Sequence, residues 1–226
     1  ASLVTEKIDD LETQIRRLVP FYNSGAIAGI HLEGPYLARA RCGAHNPNLL
    51  KSPTISEIQR LTEVGKGAVK MITVAPELEN ALEVISFLTR NKILAAIGHS
   101  DGSYDDALKA VDAGAALVTH FSNGMSKLKD GEKTFATALL HKTSIPLELI
   151  MDGHHVSRED VAFIASVAGN RVIFVTDAMA AAGQPDGEYT VGDLDVVVTE
   201  GVARLKSNGA LAGSTLTMQR AVDKAR

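Results

Sequence analysis

Six short apolar runs recur along the 226 residues: Ala28 to Leu32, Val69 to Val74, Ile93 to Ile97, Leu117 to Thr119, Leu147 to Met151 and Val172 to Thr176. Each is too short for a helix and is dominated by Val, Ile, Leu and Ala, the pattern of a strand covered on both faces. Between them, apolar residues fall at helical spacing in Ile55 to Val64, Leu78 to Thr89, Tyr104 to Ala113, Phe135 to His141 and Arg158 to Ala168. Ser103 ahead of Asp106, and Ser157 ahead of Asp160, supply helix-start signals. Alternation of this kind predicts a parallel sheet with helices outside it. Glu33, His99, His120, Asp152, His154, His155 and Asp177 all lie just beyond the ends of these runs. A (β/α)₈ barrel gathers such positions at one mouth, whereas an open doubly wound sheet spreads them along an edge. The expected fold class is therefore α/β, a TIM-type barrel, incomplete at about six strands with its first strands missing. Residues 1–226 read as one domain truncated at both ends, with a hairpin insertion near residues 189–205 around Gly192 and Gly201. Leu3, Ile8, Leu11, Ile15 and Leu18 read as an amphipathic helix already under way at the first residue.

With 45% hydrophobic and 22% charged residues the chain can bury a large core, and its net charge of -4 gathers no basic stripe for nucleic acid. Cys42 is the single cysteine, so no internal disulfide forms, and a reducing, cytoplasmic location is expected. Glu6, Lys7, Asp9, Asp10, Glu12, Arg16 and Arg17 are incompatible with the apolar core of a signal peptide, and no apolar run is long enough to span a bilayer.

Glu33, His99 and His120 form a nitrogen and oxygen donor set suited to zinc or another borderline divalent metal, with a fourth position left for water. A single histidine at a strand end is more often a hydrogen-bonded structural residue. Three potential ligands and a further acid at one level of successive strands are hard to explain as independent packing choices. Asp177 closes the apolar run Val172-Ile-Phe-Val-Thr-Asp. There it can take a proton from an attacking water and pass it to a departing amine, as general base and then acid. Gly98-His99-Ser100-Asp101-Gly102 also matches the serine-hydrolase pattern G-x-S-x-G. That reading needs an acid and then a histidine downstream, and only Asp152 and His155, three residues apart, are on offer.

The motifs His31-Leu-Glu-Gly-Pro35, Ala44-His-Asn-Pro47, Gly98-His-Ser100, Thr119-His120 with Asn123 and Met125, Asp152-Gly-His-His155, Thr176-Asp-Ala-Met179 and Leu211-Ala-Gly-Ser214 carry a resemblance. Together they are similar to those of the N-acetylglucosamine-6-phosphate deacetylases of the amidohydrolase superfamily. The resemblance implies metal ligation by Glu33, His99 and His120, acid/base catalysis by Asp177, and stabilisation of an oxyanion by His45. It also implies a sugar-phosphate site lined by Ala44, His45, Asn123, Gly124, Asp152, His155, Leu211, Ala212 and Gly213. The implied cofactor is one or two divalent ions, Zn2+ or else Fe2+, Co2+ or Mn2+, and the implied assembly is a homodimer or homotetramer. Expected partners are small-molecule amino-sugar phosphates, with no nucleic acid and no membrane. Two departures accompany the resemblance. The family's first barrel strand, with its His-x-His pair, has no counterpart here. Gly131 also stands where the family commonly has an arginine that grips phosphate, leaving Lys129 or Lys133 to substitute. His31 and His154 are assigned structural or solvent-facing roles, and His141 a place on a helix surface. The rival substrates are N-acetylgalactosamine 6-phosphate and unphosphorylated N-acetyl amino sugars; the rival class is a non-catalytic sugar-phosphate binding protein.

Overall fold

The computed structural model describes residues 1–129 and 131–225. Seven strands form one parallel sheet in chain order: β1 (Ser2–Leu3), β2 (Ile30–Glu33), β3 (Val69–Val74), β4 (Leu94–Ile97), β5 (Leu117–Val118), β6 (Leu147–Ile150) and β7 (Val172–Val175). Helices α1 (Ile8–Asn23), α2 (Ile55–Gly65), α3 (Ala81–Arg90), α4 (Tyr104–Asp112), α5 (Phe135–Lys142) and α6 (Arg158–Ala168) provide the crossovers. A second, antiparallel sheet contains β8 (Gly187–Val191), β9 (Leu194–Thr199) and β10 (Val202–Leu205), with β9 in the middle. Helix α7 (Met218–Ala225) packs against β7.

Strand alternation explains the layering. Ile30, Leu32, Ile72, Val74, Ile97 and Leu149 are fully buried on the face that meets the helices, together with Leu11 and Ile15 of α1, Ile58 and Leu61 of α2, and Val84 and Leu88 of α3. The residues between them point the other way and are polar, because successive side chains of a strand alternate in direction. His31, Glu33 and Glu148 line the concave face. There Thr73 bonds to both His31 and Thr119, each at 2.8 Å.

The sheet is curled. In a flat sheet β2 and β5 would stand three strand spacings apart, about 14 Å, yet Glu33 Oε1 lies 2.8 Å from His120 Nε2. The curl converts a row of strand ends into a mouth, as half of a barrel would.

Three expectations are corrected. The sheet has seven parallel strands rather than about six, because the opening segment contributes one. Leu3 belongs to no helix: it pairs with Leu32 in β1, and the helical pattern starts at Ile8. Two residues are too few to show a period, and β1 exists because the edge of β2 needs hydrogen-bond partners, as in the His31 N–H bond to the Ala1 carbonyl at 2.8 Å. The segment near residues 189–205 is a three-stranded sheet beginning at Gly187, since Gly192 (φ 55°) and Gly201 (φ 75°) each turn the chain. Helix α7 was not anticipated; its start signal is Thr217, whose Oγ1 accepts the Arg220 N–H at 3.3 Å.

Candidate metal centre

Glu33 is the last residue of β2, while His99, His120 and Asp177 are each the second residue after β4, β5 and β7. Those three share a left-handed backbone, at φ 46°, 28° and 48°. This conformation turns the chain sharply out of the strand, so that each side chain faces the mouth rather than a neighbouring helix.

His99 Nε2 lies 3.1 Å and His120 Nε2 2.8 Å from Glu33 Oε1, and the two nitrogens are 2.9 Å apart. All three residues are buried. His99 Nδ1 lies 2.7 Å from the Arg41 carbonyl oxygen, which can only accept, so Nδ1 carries the proton and Nε2 presents a lone pair. Tetrahedral coordination at about 2.0–2.1 Å separates ligand atoms by about 3.3 Å, a few tenths beyond the distances found, so this donor set fits a divalent ion. Burial pushes the His120 imidazolium pKa down, but its bond to Glu33 outweighs burial and holds it at about 9. A cation between the three groups would displace that proton. His120 Nδ1 is buried without a hydrogen-bond partner among the described residues.

Neighbouring elements fix these side chains. The His99 and His120 rings meet edge to face, with centroids 4.7 Å apart, as do His45 and His99 at 4.8 Å. Gly124 (φ 57°) lies so close to His99 that a Cβ there would come within 2.9 Å of Nδ1. Glu77 accepts from Ser100 Oγ at 2.7 Å and from the Asp101 N–H at 2.6 Å, pinning the turn that carries His99. Sequence reasoning missed Glu77, for which the chain offers no local signal. Ser100 is fully buried with its hydroxyl committed to Glu77, while His99 points at Glu33, which removes the serine-hydrolase reading.

A cavity of about 560 Å³ opens over the centre. Glu33, His45, His99, His120 and Asp177 line it, as do Ala44, Asn123, Gly124, His155, Leu211 and Gly213. Asp152 and Ala212 are not among its lining residues. Asp152 lies behind His155, whose Nδ1–H donates to it at 2.6 Å, and it also accepts the backbone N–H groups of His154 and His155. The Asp152 carboxyl is pushed up by burial, but these bonds outweigh that and lower it to about 2. Ala212 is fully buried among the residues of the small sheet. The Asp177 carboxyl is raised above its ordinary value by burial first and by the charge of Glu33 second. Burial lowers His45 to about 3.

His31 bonds to Ser2 and Thr73 on the concave face, and His154 and His141 are exposed. Lys129 and Lys133 line a separate surface groove beside Gly131, Lys129 paired with Glu132 at 3.3 Å and Lys133 5.6 Å over the Tyr104 ring. Neither reaches the cavity, and no Lys or Arg stands among its described lining residues. No helix of the described residues is long and apolar enough to cross a membrane.

No family model matches the chain. It is 36% identical to N-acetylgalactosamine-6-phosphate deacetylase of Escherichia coli O157:H7 over 223 residues, 97% of this chain and 59% of that protein. It is 33% identical to N-acetylglucosamine-6-phosphate deacetylase of Vibrio furnissii over 226 residues, 98% of this chain and 56% of that protein. A solved structure of a mutant N-acetyl-D-glucosamine-6-phosphate deacetylase from Mycobacterium smegmatis, in complex with N-acetyl-D-glucosamine-6-phosphate, matches with a TM-score of 0.97 and 42% identity, over 100% of this chain and 59% of that one. The chain thus spans under two thirds of the length of each.

Proposed function

Since the chain is similar along nearly its whole length to part of the N-acetylglucosamine-6-phosphate deacetylases, we propose that it carries the catalytic centre of such an enzyme, on a (β/α)₈ barrel of the metal-dependent hydrolase kind. The reaction is hydrolysis of the acetamide of N-acetylglucosamine 6-phosphate to acetate and glucosamine 6-phosphate. The observation that carries this reading is the meeting of Glu33, His99 and His120 within 3.1 Å beneath a cavity that Asp177 also lines.

Glu33 Oε1, His99 Nε2 and His120 Nε2 would hold one divalent cation, zinc by the donor set, with iron, cobalt or manganese accepted by the same ligands. Such an ion supplies Lewis acidity, polarising the acetyl group and lowering the pKa of water beside it. Asp177 takes a proton from the attacking water, and burial, which raises its carboxyl, brings its basicity closer to neutral pH. The same carboxyl then delivers that proton to the amide nitrogen as the C–N bond breaks, because an amine anion is a very poor leaving group. His45 donates to the carbonyl oxygen as it gains negative charge. Asn123, Gly124, His155, Leu211 and Gly213 form the walls that hold the sugar.

Asp177→Asn should cut acetate release by at least about a hundredfold while the metal content of the purified protein, read by elemental analysis, stays at the wild-type level. Retained turnover would exclude Asp177 from proton transfer. The relative of Escherichia coli O157:H7 makes the galacto epimer the second reading, and rates on the two sugar phosphates side by side decide between them.

A further inference from the structure

We infer that Thr5 is a positioning residue that fixes the tautomer of His45, so that the Nε2–H of His45 is the group presented to the cavity. The inference deepens the proposed function and rests on it for the meaning of that proton. Its structural basis lies in the opening strand, where nothing in the sequence pointed to a role in the centre.

Pairing of Ser2 with His31 and of Leu3 with Leu32 sets β1 alongside β2 and brings Thr5 against the chain just after Glu33. Thr5 is buried there. Its backbone N–H lies 3.3 Å and its Oγ1 2.8 Å from His45 Nδ1. An amide N–H can only donate, so Nδ1 must offer its lone pair, and the hydroxyl completes the arrangement as a second donor. A neutral imidazole has one N–H, which these bonds assign to Nε2. That nitrogen has no hydrogen-bond partner among the described residues, while the ring borders the cavity.

The hydroxyl has little freedom to leave. Gly34 (φ 92°) approaches Thr5 so closely that a Cβ on it would stand 2.0 Å from Oγ1. Without the hydroxyl, the remaining amide bond is long, and the alternative tautomer places a lone pair where the reaction develops negative charge. A donor aimed at such an oxyanion contributes about 10²–10³ in kcat, and its misplacement forfeits part of that.

The test uses the full-length protein with ¹⁵N-labelled histidine. Two-bond proton–nitrogen correlation spectra should show His45 with Nδ1 bare and Nε2 protonated in the wild type. Thr5→Val should give a mixture of tautomers and lower kcat about ten- to a hundredfold, with KM within about twofold and unchanged metal content. Thr5→Ser, which keeps the hydroxyl, should restore both spectrum and rate. A wild-type spectrum with the proton on Nδ1 overturns the inference, and so does a folded Thr5→Val protein that matches the wild type in spectrum and kcat. The wild-type spectrum is decisive even if Thr5→Val does not fold. Should the predicted tautomer appear in a metal-loaded protein that releases no acetate, the proposed reaction fails and the positioning role of Thr5 stands.

Discussion

His99, His120 and Asp177 hold left-handed backbone conformations that cost a residue with a side chain about 1–3 kcal/mol each. Three such residues in one mouth persist because the surrounding packing over-determines them, and the return is a set of side chains that line one cavity. Asp152 and His155 show a different device, in which a carboxylate behind the wall orients the imidazole that lines it. Because Asp152 is lowered to about 2 in the folded protein, below its unfolded value, its bonds stabilise the fold above about pH 4. That contribution is lost as pH falls through the folded value. Urea titrations should therefore show Asp152→Asn less stable than the wild type at pH 5 to 7, with the gap closing between about pH 4 and pH 2. A gap independent of pH would mean that the carboxylate charge is irrelevant to it. The residue types at the mouth were legible in the sequence, as was the donor set of Glu33, His99 and His120 that the fold brings together. The position of Asp152 behind His155 was not, because a turn, not an extended strand, carries residues 151–156.

At the scale of elements, start signals and periodicity did most of the work. Ser103 accepts the Asp106 N–H at 3.2 Å while Asp106 accepts the Ser103 N–H at 2.9 Å, forming the capping box that the spacing predicted at the head of α4. Ser103→Ala should lower unfolding free energy by about 1 kcal/mol, measured by chemical denaturation; a change near zero would show that α4 is held by packing alone. The failure came where an element is short and lies at the sheet edge: β1 has two residues, carries no period, and is held in place by pairing with β2.

For the whole molecule, the curl of the parallel sheet and the position of the small sheet decide what the site can do. Thr190, Val191 and Gly192 of the small sheet border the cavity, and Asn46, beside His45, donates to Asp193 at 2.7 Å. That bond ties the turn between β8 and β9 to the rim that carries His45. Asp193→Ala should raise KM several-fold with a shift in melting temperature of only a few degrees, because an exposed bond contributes about 1 kcal/mol or less to stability. An unchanged KM would show that the tie has no part in closing the cavity.

The sequence by itself determined the β/α alternation, the polar positions at the strand ends and the donor chemistry of Glu33, His99 and His120, because strand burial and metal preference are properties of local pattern and residue type. Tertiary structure alone decided that β1 exists, that the sheet curls until Glu33 at the end of β2 meets His120 beyond β5, that Asp152 stands behind His155, and that Thr5 reaches His45. Each of these depends on which backbone groups remain unpaired once distant segments meet, and on left-handed turns whose stability comes from their neighbours. Those are energies of the assembled fold, and no stretch of chain contains them before it assembles.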